Sequence, residues 1–246
     1  MTETTTEETQ PTFRSDVTVE LVKHSAADTD VLWAARVSTA GGQSLEEITK
    51  DPERSEGLIN FLMRDRHGSP FEHNSMTFFV SAPIFVFREF MRHRVGWSYN
   101  EESGRYRELR PVFYVPGRDR RLVQEVRPGK YVFVEGTEEQ HRTATRAMEQ
   151  TYRDSYAAYQ EMLAAGVARE VARSVLPVGL FSSMYATCNA RSLMHFLTLR
   201  TQHETAAVPS FPQREIEMVG ELMEAEWARI MPLTHAAFNR NGRVAP

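Results

Sequence analysis

One cysteine, Cys188, stands in a chain of 246 residues. No intrachain disulfide can form, and a reducing, cytoplasmic setting is the compartment such usage fits. Excess charge is lacking too: 29 Lys and Arg against 33 Asp and Glu leave a net charge of -4. Broad, non-specific nucleic-acid binding needs an extended cationic face, which this balance argues against. Long hydrophobic runs are missing. The most apolar stretch, "MTFFVSAPIFVF", is too short to span a membrane and is interrupted by Pro83. The first residues, "MTETTTEETQPTF", contain neither a basic n-region nor an apolar h-region, so no secretory signal is expected. No G-x-G-x-x-G follows a strand and no Walker loop occurs, which leaves Rossmann and P-loop domains unsupported. No serine sits in a nucleophile elbow. His67 and His73 flank "GSPFE" without a third ligand nearby, so no metal site is expected.

The pattern along the chain describes one domain. Residues 1–14 read as a disordered polar tail with almost nothing to bury, and 15–246 as a single catalytic domain. Strands are expected at 17–22, 74–82, 105–115 and 180–188 from alternation and β-branching. Helices are expected at 28–37, 53–66, 137–166, 168–176, 190–202 and 212–231. Another should begin at Pro83, where a missing donor does no harm, and run to Arg94 with Ile84, Phe87 and Met91 buried. A basic, proline-marked excursion fills 116–130. Helices outnumber strands without regular alternation, so the fold class is α+β: a small central sheet flanked by helices.

Positive charge is concentrated locally. "RHRVGWSYNEESGRY" (92–106) and the arginine after it place Arg92, His93, Arg94, Arg105 and Arg107 around one glycine-containing turn. Asn100, Glu101, Glu102 and Ser103 stand between those arginines, a mixture that suits a ligand carrying both phosphate and heterocycle. "NARSLMHFLTLR" (189–200) is a second cluster. Asn189 can cap the helix that Ala190 begins, and the positive end of the dipole favours an anion there. Arg191 and His195 share a face, whereas Arg200 lies roughly 180° around. "RHGSPFEH" (66–73) is the third cluster. Cys188, preceded by strand residues, reads as a small buried hydrophobe rather than a nucleophile.

Together these clusters resemble the flavin-dependent thymidylate synthases. The signature of that family is Arg-His-Arg, a spacer of usually seven residues, then Ser, commonly continuing to Gly-Arg-Tyr. Here Arg92-His93-Arg94 is followed by an eight-residue spacer, then Ser103, Gly104, Arg105 and Tyr106. "AARVS", "HGSPFEH", "APIFVFREFMRHR", "REVARSVLP" and "NARSLMHFLTLR" extend the resemblance over most of 17–205.

The resemblance implies the fold of that family and a homotetramer with active sites at subunit interfaces. It implies FAD as cofactor, with NADPH as reductant and methylenetetrahydrofolate as carbon donor, for conversion of dUMP to dTMP with release of tetrahydrofolate. By position, Ser69, Arg92, His93, Arg94, Glu101, Asn189, Ala190, Arg191 and His195 match flavin contacts. Glu89, Phe90, Met91, Arg92, Glu101, Glu102, Ser103, Gly104, Arg105, Arg173 and Arg200 match dUMP contacts, with Arg200 assigned to activating the pyrimidine. Glu89 stands where Gln is frequent, and Ser69 where Thr is found. Two other readings compete: an RNA-binding module using the 88–121 arginines with Trp97, Tyr99 and Tyr106 as stacking surfaces, and a flavoprotein reductase acting on another substrate. Neither a nucleic-acid polymer nor a membrane is an expected partner.

Overall fold

The computed structural model describes residues 10–41, 44–127 and 130–246. The described residues divide into two compact units, the first comprising 10–17, 81–88 and those within 101–183, the second those within 18–80, 89–100 and 184–246. The elements are β1 (Thr12–Arg14), β2 (Thr18–Ser25), α1 (Asp28–Ala40), α2 (Leu45–Thr49), α3 (Pro52–Arg64), β3 (Ser75–Pro83), α4 (Ile84–Phe90), β4 (Trp97–Glu101), β5 (Val112–Tyr114), β6 (Val123–Arg127), β7 (Lys130–Val134), α5 (Glu138–Ala164), α6 (Arg169–Ala172), β8 (Phe181–Cys188), α7 (Ala190–Arg200), α8 (Arg214–Ile230) and α9 (Pro232–Arg240). Small sheets flanked by helices make this the expected α+β class.

In the first unit, β1 runs parallel to β5, pairing Thr12 with Val112 and Arg14 with Tyr114. α5 starts from a reciprocal cap: the Thr137 hydroxyl accepts the Gln140 N–H while the Gln140 side chain accepts the Thr137 N–H. Its buried stripe is aromatic, Tyr152, Tyr156 and Tyr159, packed with Phe113, Leu109 and Leu180. Phe113 stacks on Tyr152 at 4.8 Å between centroids, and the Tyr159 hydroxyl accepts the Leu109 N–H. β6 and β7 form an antiparallel ladder from Val123–Val134 to Arg127–Lys130.

The second unit is organised by a sheet of strand order β2-β3-β8-β4. α7 packs on α8, and α3 on α9. Fully buried Ile59, Met63, Phe71, Phe196, Leu197, Ile216, Trp227 and Phe238 fill its interior. Gly220 brings α8 close to the end of α7, since a Cβ there would stand 2.7 Å from the Thr201 methyl.

Several expectations are corrected. Residues 1–9 of the expected tail lie outside the described residues, but 12–14 are strand, because β5 offers them a parallel ladder. Pro83 ends β3 instead of opening the next helix, which stops at Phe90. The buried stripe of α4 is therefore Val86, Phe87 and Phe90, and Met91 is exposed. Only 112–114 of the expected strand at 105–115 are extended; the backbone donors of Tyr106 and Arg107 turn back to the Ser103 carbonyl. The excursion at 116–130 leads into β6–β7, and the loop expected after Arg94 contains β4.

Candidate functional site

The turn after α4 is built from its aromatic neighbours. Arg92 and His93 N–H groups return to the Glu89 and Phe90 carbonyls at 3.2 and 3.0 Å. Phe90, fully buried, meets Phe196 at 4.6 Å and Trp97 at 5.3 Å. Trp97 stacks on Tyr99, whose hydroxyl donates to the His93 carbonyl at 2.7 Å. Gly96 closes the turn with φ +70, and a Cβ there would lie 2.1 Å from Ser192 Oγ. That hydroxyl donates to the Val95 carbonyl at 3.0 Å. Only glycine satisfies both the left-handed backbone and this approach to α7.

α7 begins as its sequence suggests. The Asn189 side chain accepts the Ser192 N–H at 2.9 Å, and Asn74 Oδ1 accepts the Ala190 N–H at 2.8 Å. The Arg191 guanidinium lies over Gly68, where a Cβ would stand 2.6 Å from its Cζ. Its Nε donates to the Pro246 carbonyl at 2.7 Å, and Nη1 pairs with Glu72. An open cavity of about 460 Å³ is lined on one side by His93, Arg94 and Trp97 and on the other by Asn189, Arg191 and His195. Burial first, then the Arg191 cation, lowers the His195 pKa.

The other end of α7 carries Arg200. Its Nη1 donates to Glu89 Oε2 at 2.8 Å and its Nε to His93 Nε2 at 3.1 Å. Burial, reinforced by Arg200 and His195, pushes His93 down to about 4. His93 is thus neutral near pH 7 with Nε2 as acceptor, which assigns the ring proton to Nδ1. Burial raises the Glu89 pKa against the opposing pull of Arg200, with Glu215 adding to the rise.

The remaining expected contacts belong to the first unit. Ser182 Oγ donates to Glu101 at 2.9 Å and Ser183 Oγ to Glu102 at 3.2 Å. Burial raises the Glu101 pKa despite the Ser182 hydrogen bond. Arg107 Nε is 3.2 Å from Glu102 Oε1, an ion pair without hydrogen-bond alignment, so that oxygen is buried with no hydrogen bond. Gly104 is buried under Leu109 and Arg173, whose Cδ would stand 3.2 Å from a Cβ there. Arg105 pairs with Glu170 at 2.9 Å.

Of the expected flavin set, His93, Arg94, Asn189, Arg191 and His195 come together around the cavity. Ser69 opens the 3₁₀ turn beside Gly68, and the Ala190 N–H is taken by Asn74. Glu101 lies in the first unit with Glu102–Arg105 and Arg173. Phe90 is sealed inside the aromatic cluster, whereas Met91 and Arg92 are exposed. Glu72, Gly96 and Ser192 also wall the cavity and were not singled out from the sequence. The position of Gly96, between Arg94 and Trp97, was the one available signal. Among the described residues no three His, Cys, Asp or Glu side chains converge as a metal site would, and no helix is long and apolar enough to cross a membrane.

The cavity suits FAD by its donor set. Two guanidiniums, two imidazoles and a side-chain amide surround a space that Cβ atoms at Gly68 and Gly96 would disturb. Cations with planar, bidentate donors match a pyrophosphate, and the imidazoles and indole match a heterocycle. The donor set of this cavity therefore fits a phosphorylated heterocyclic ligand.

The chain belongs to the flavin-dependent thymidylate synthase family. Residues 20–233 match the family model "Thymidylate synthase complementing protein". It is 82% identical, over the full length of both chains, to a flavin-dependent thymidylate synthase of Streptomyces avermitilis. A protein of the same name from Tropheryma whipplei is 57% identical over 96% of this chain and 98% of its own. Among solved structures, the UMP/dUMP methylase PolB from Streptomyces cacaoi bound with 5-Br dUMP is 56% identical with TM-score 0.89, covering 95% of this chain and 99% of PolB. The same enzyme bound with 5-Br UMP gives TM-score 0.87 at 55% identity, covering 96% and 100%.

Proposed function

We propose that this chain methylates dUMP to dTMP, with methylenetetrahydrofolate as carbon donor and NADPH as reductant acting through FAD, and releases tetrahydrofolate. The observation that carries the reading is Arg200, held between Glu89 and neutral His93 at the end of the helix whose other end walls the cationic cavity. The names of the relatives and the bromouridylate ligands of PolB support it.

His93, Arg94, Asn189, Arg191 and His195 would hold FAD, with Ser69, Arg92, Ala190 and Glu101 as further contacts by family position. When bound, FAD would supply the hydride that completes the methyl group. Glu89, Phe90, Met91, Arg92, the run Glu101–Arg105, Arg173 and Arg200 would bind dUMP. Ser182 and Ser183 orient the two carboxylates of that run. Phe90 can offer only its backbone, being buried.

Arg200 stays charged at any relevant pH and cannot serve as an ordinary base. Its role is electrostatic: stabilising negative charge on the uracil ring so that carbon five becomes nucleophilic, without an attacking thiol. Cys188 is 2% exposed, and burial pushes its thiol pKa up, which makes it a poor nucleophile. The working form is a cytoplasmic homotetramer with active sites at subunit interfaces.

The name of PolB favours one second reading, methylation of UMP. Incubating purified protein with methylenetetrahydrofolate, NADPH and either dUMP or UMP decides between them. dTMP and tetrahydrofolate from the dUMP reaction support the proposal. A methylated product from UMP alone replaces it, and NADPH oxidation without methylated nucleotide points instead to a reductase of other specificity.

A further inference from the structure

Two non-glycine residues have positive φ among the described residues, Arg66 at 62° and Arg243 at 54°. This conformation is disfavoured for side chains bearing a Cβ, so both must be held by their surroundings. They converge on one segment. Arg243 follows Gly242, itself at φ 75, and its side chain is 1% exposed. Nη1 and Nη2 reach the two oxygens of Glu224, Nη1 also reaches Asn239, and Nη2 donates to Thr201 Oγ1 at 2.9 Å. Arg66 donates to the Val244 carbonyl.

From this anchor the chain runs along α7. The Arg243 carbonyl accepts from Thr198 Oγ1 at 2.7 Å, and the Pro246 carbonyl accepts from Arg191 Nε at 2.7 Å. The lengths agree: three residues of extended chain and seven of helix each cover about 10 Å. Residues 242–246 therefore grip the helix at Thr201 and Thr198 near Arg200 and at Arg191 beside the cavity. Pro246 and Glu72 hold the Arg191 guanidinium from two directions, over Gly68, which lies two residues beyond Arg66.

We propose that residues 242–246 are a clamp, locked by Arg243 and Arg66, that positions Arg191 for the flavin. The inference rests on the flavin reading of the cavity. Arg243 and Arg66 are positioning residues that act through Arg191. A clamp of this kind removes rotamer freedom from Arg191 before binding, so the ordering is already done when FAD arrives.

The test is a titration of flavin-stripped protein with FAD, followed by flavin fluorescence, in the full chain and in a chain lacking residues 244–246. The deletion should weaken FAD binding about tenfold, the worth of one hydrogen bond to a charged group. In an Arg191→Ala background the same deletion should make less than about a twofold further difference, because the two changes act through one side chain. Arg66→Ala, at an exposed position, loosens the same segment in an intact chain and decides the matter by the same cycle should the deletion fail to fold. Unchanged FAD affinity, or an equal loss in both backgrounds, overturns the clamp while leaving the flavin site standing. A full chain that binds no FAD removes the flavin reading, and the clamp with it.

Discussion

The two ends of α7 each present an arginine held by a carboxylate, yet the settings differ. At the N-terminal end, the Arg191 side chain is 37% exposed and its partner Glu72 44%. At the C-terminal end, Arg200 is 20% exposed and Glu89 27%. The exposed pair is solvated, where the ion pair itself contributes only about 0–1 kcal/mol. The drier pair sits where charges act more strongly, as the raised Glu89 and lowered His93 pKa values show. On the proposed reading, one end of the helix binds and the other polarises. His93 joins them, lining the cavity and accepting from Arg200 at Nε2.

The comparison is most exposed to failure at Arg200. Arg200→Ala should lower dTMP formation by about a hundredfold or more, the loss typical of one preorganised donor, while FAD stays bound and NADPH oxidation continues. Arg200→Lys should restore only part of the rate, since a point charge lacks the planar two-point contact. Near wild-type turnover of Arg200→Ala at saturating dUMP would remove the polarising role. Arg191→Ala should behave oppositely, losing about tenfold in FAD affinity through its lost charge-assisted contacts. Flavin absorbance of the purified variants reads both. If the two substitutions lowered flavin content equally, the division between the ends would be wrong.

How much of this was legible follows from how local each signal is. α5 was readable because the Thr137–Gln140 cap and the Tyr152–Tyr156–Tyr159 stripe are written in adjacent turns. So was α7, whose cap Asn189 serves the residue three places on. β4 was hidden inside a charged run, although Trp97, Tyr99 and Glu101 alternate as its partly buried face. α9 carried a proline at its first position and went unread beside the stronger pattern of α8. Contacts that close only in three dimensions left no trace: Glu72 meets Arg191 119 residues later, and Ser192 meets Val95 across 97. The expected site residues are read from family position, and the structure adds their anchors.

His93 offers a sharper test of the shared residue through pH. Its pKa in the folded protein is about 4, below the ordinary value of 6.5. Between those values the unfolded chain binds more protons, so stability should fall as pH is lowered from about 6.5 towards 4 and gain nothing from this group above 6.5. Glu89, raised by burial, adds the opposite slope as pH rises from the ordinary carboxylate value through its own. His93→Gln keeps an acceptor but cannot take up a proton, so it should flatten the His93 part of the curve and leave that of Glu89. Thermal midpoints of both proteins across pH 4–7 measure this. An equally steep loss in His93→Gln would mean that His93 does not hold Arg200 as a neutral acceptor.

The smallest expected effect lies directly before the cap of α7, at Cys188. The proposed chemistry spares the thiol, so its loss should be tolerated, and the geometry says how well. The side chain is 2% exposed at the end of β8, and burial raises its pKa, so little thiolate exists near pH 7. Cys188→Ala removes one buried sulfur and leaves a small void, costing about 1 kcal/mol. Both ends of α7 keep their partners, because neither Asn189 nor Arg191 draws on the sulfur. FAD content and dTMP formation should therefore match the parent, with a thermal midpoint lower by a few degrees. Loss of turnover with flavin still bound would show that the thiol takes part in the chemistry, and the electrostatic role assigned to Arg200 would no longer suffice.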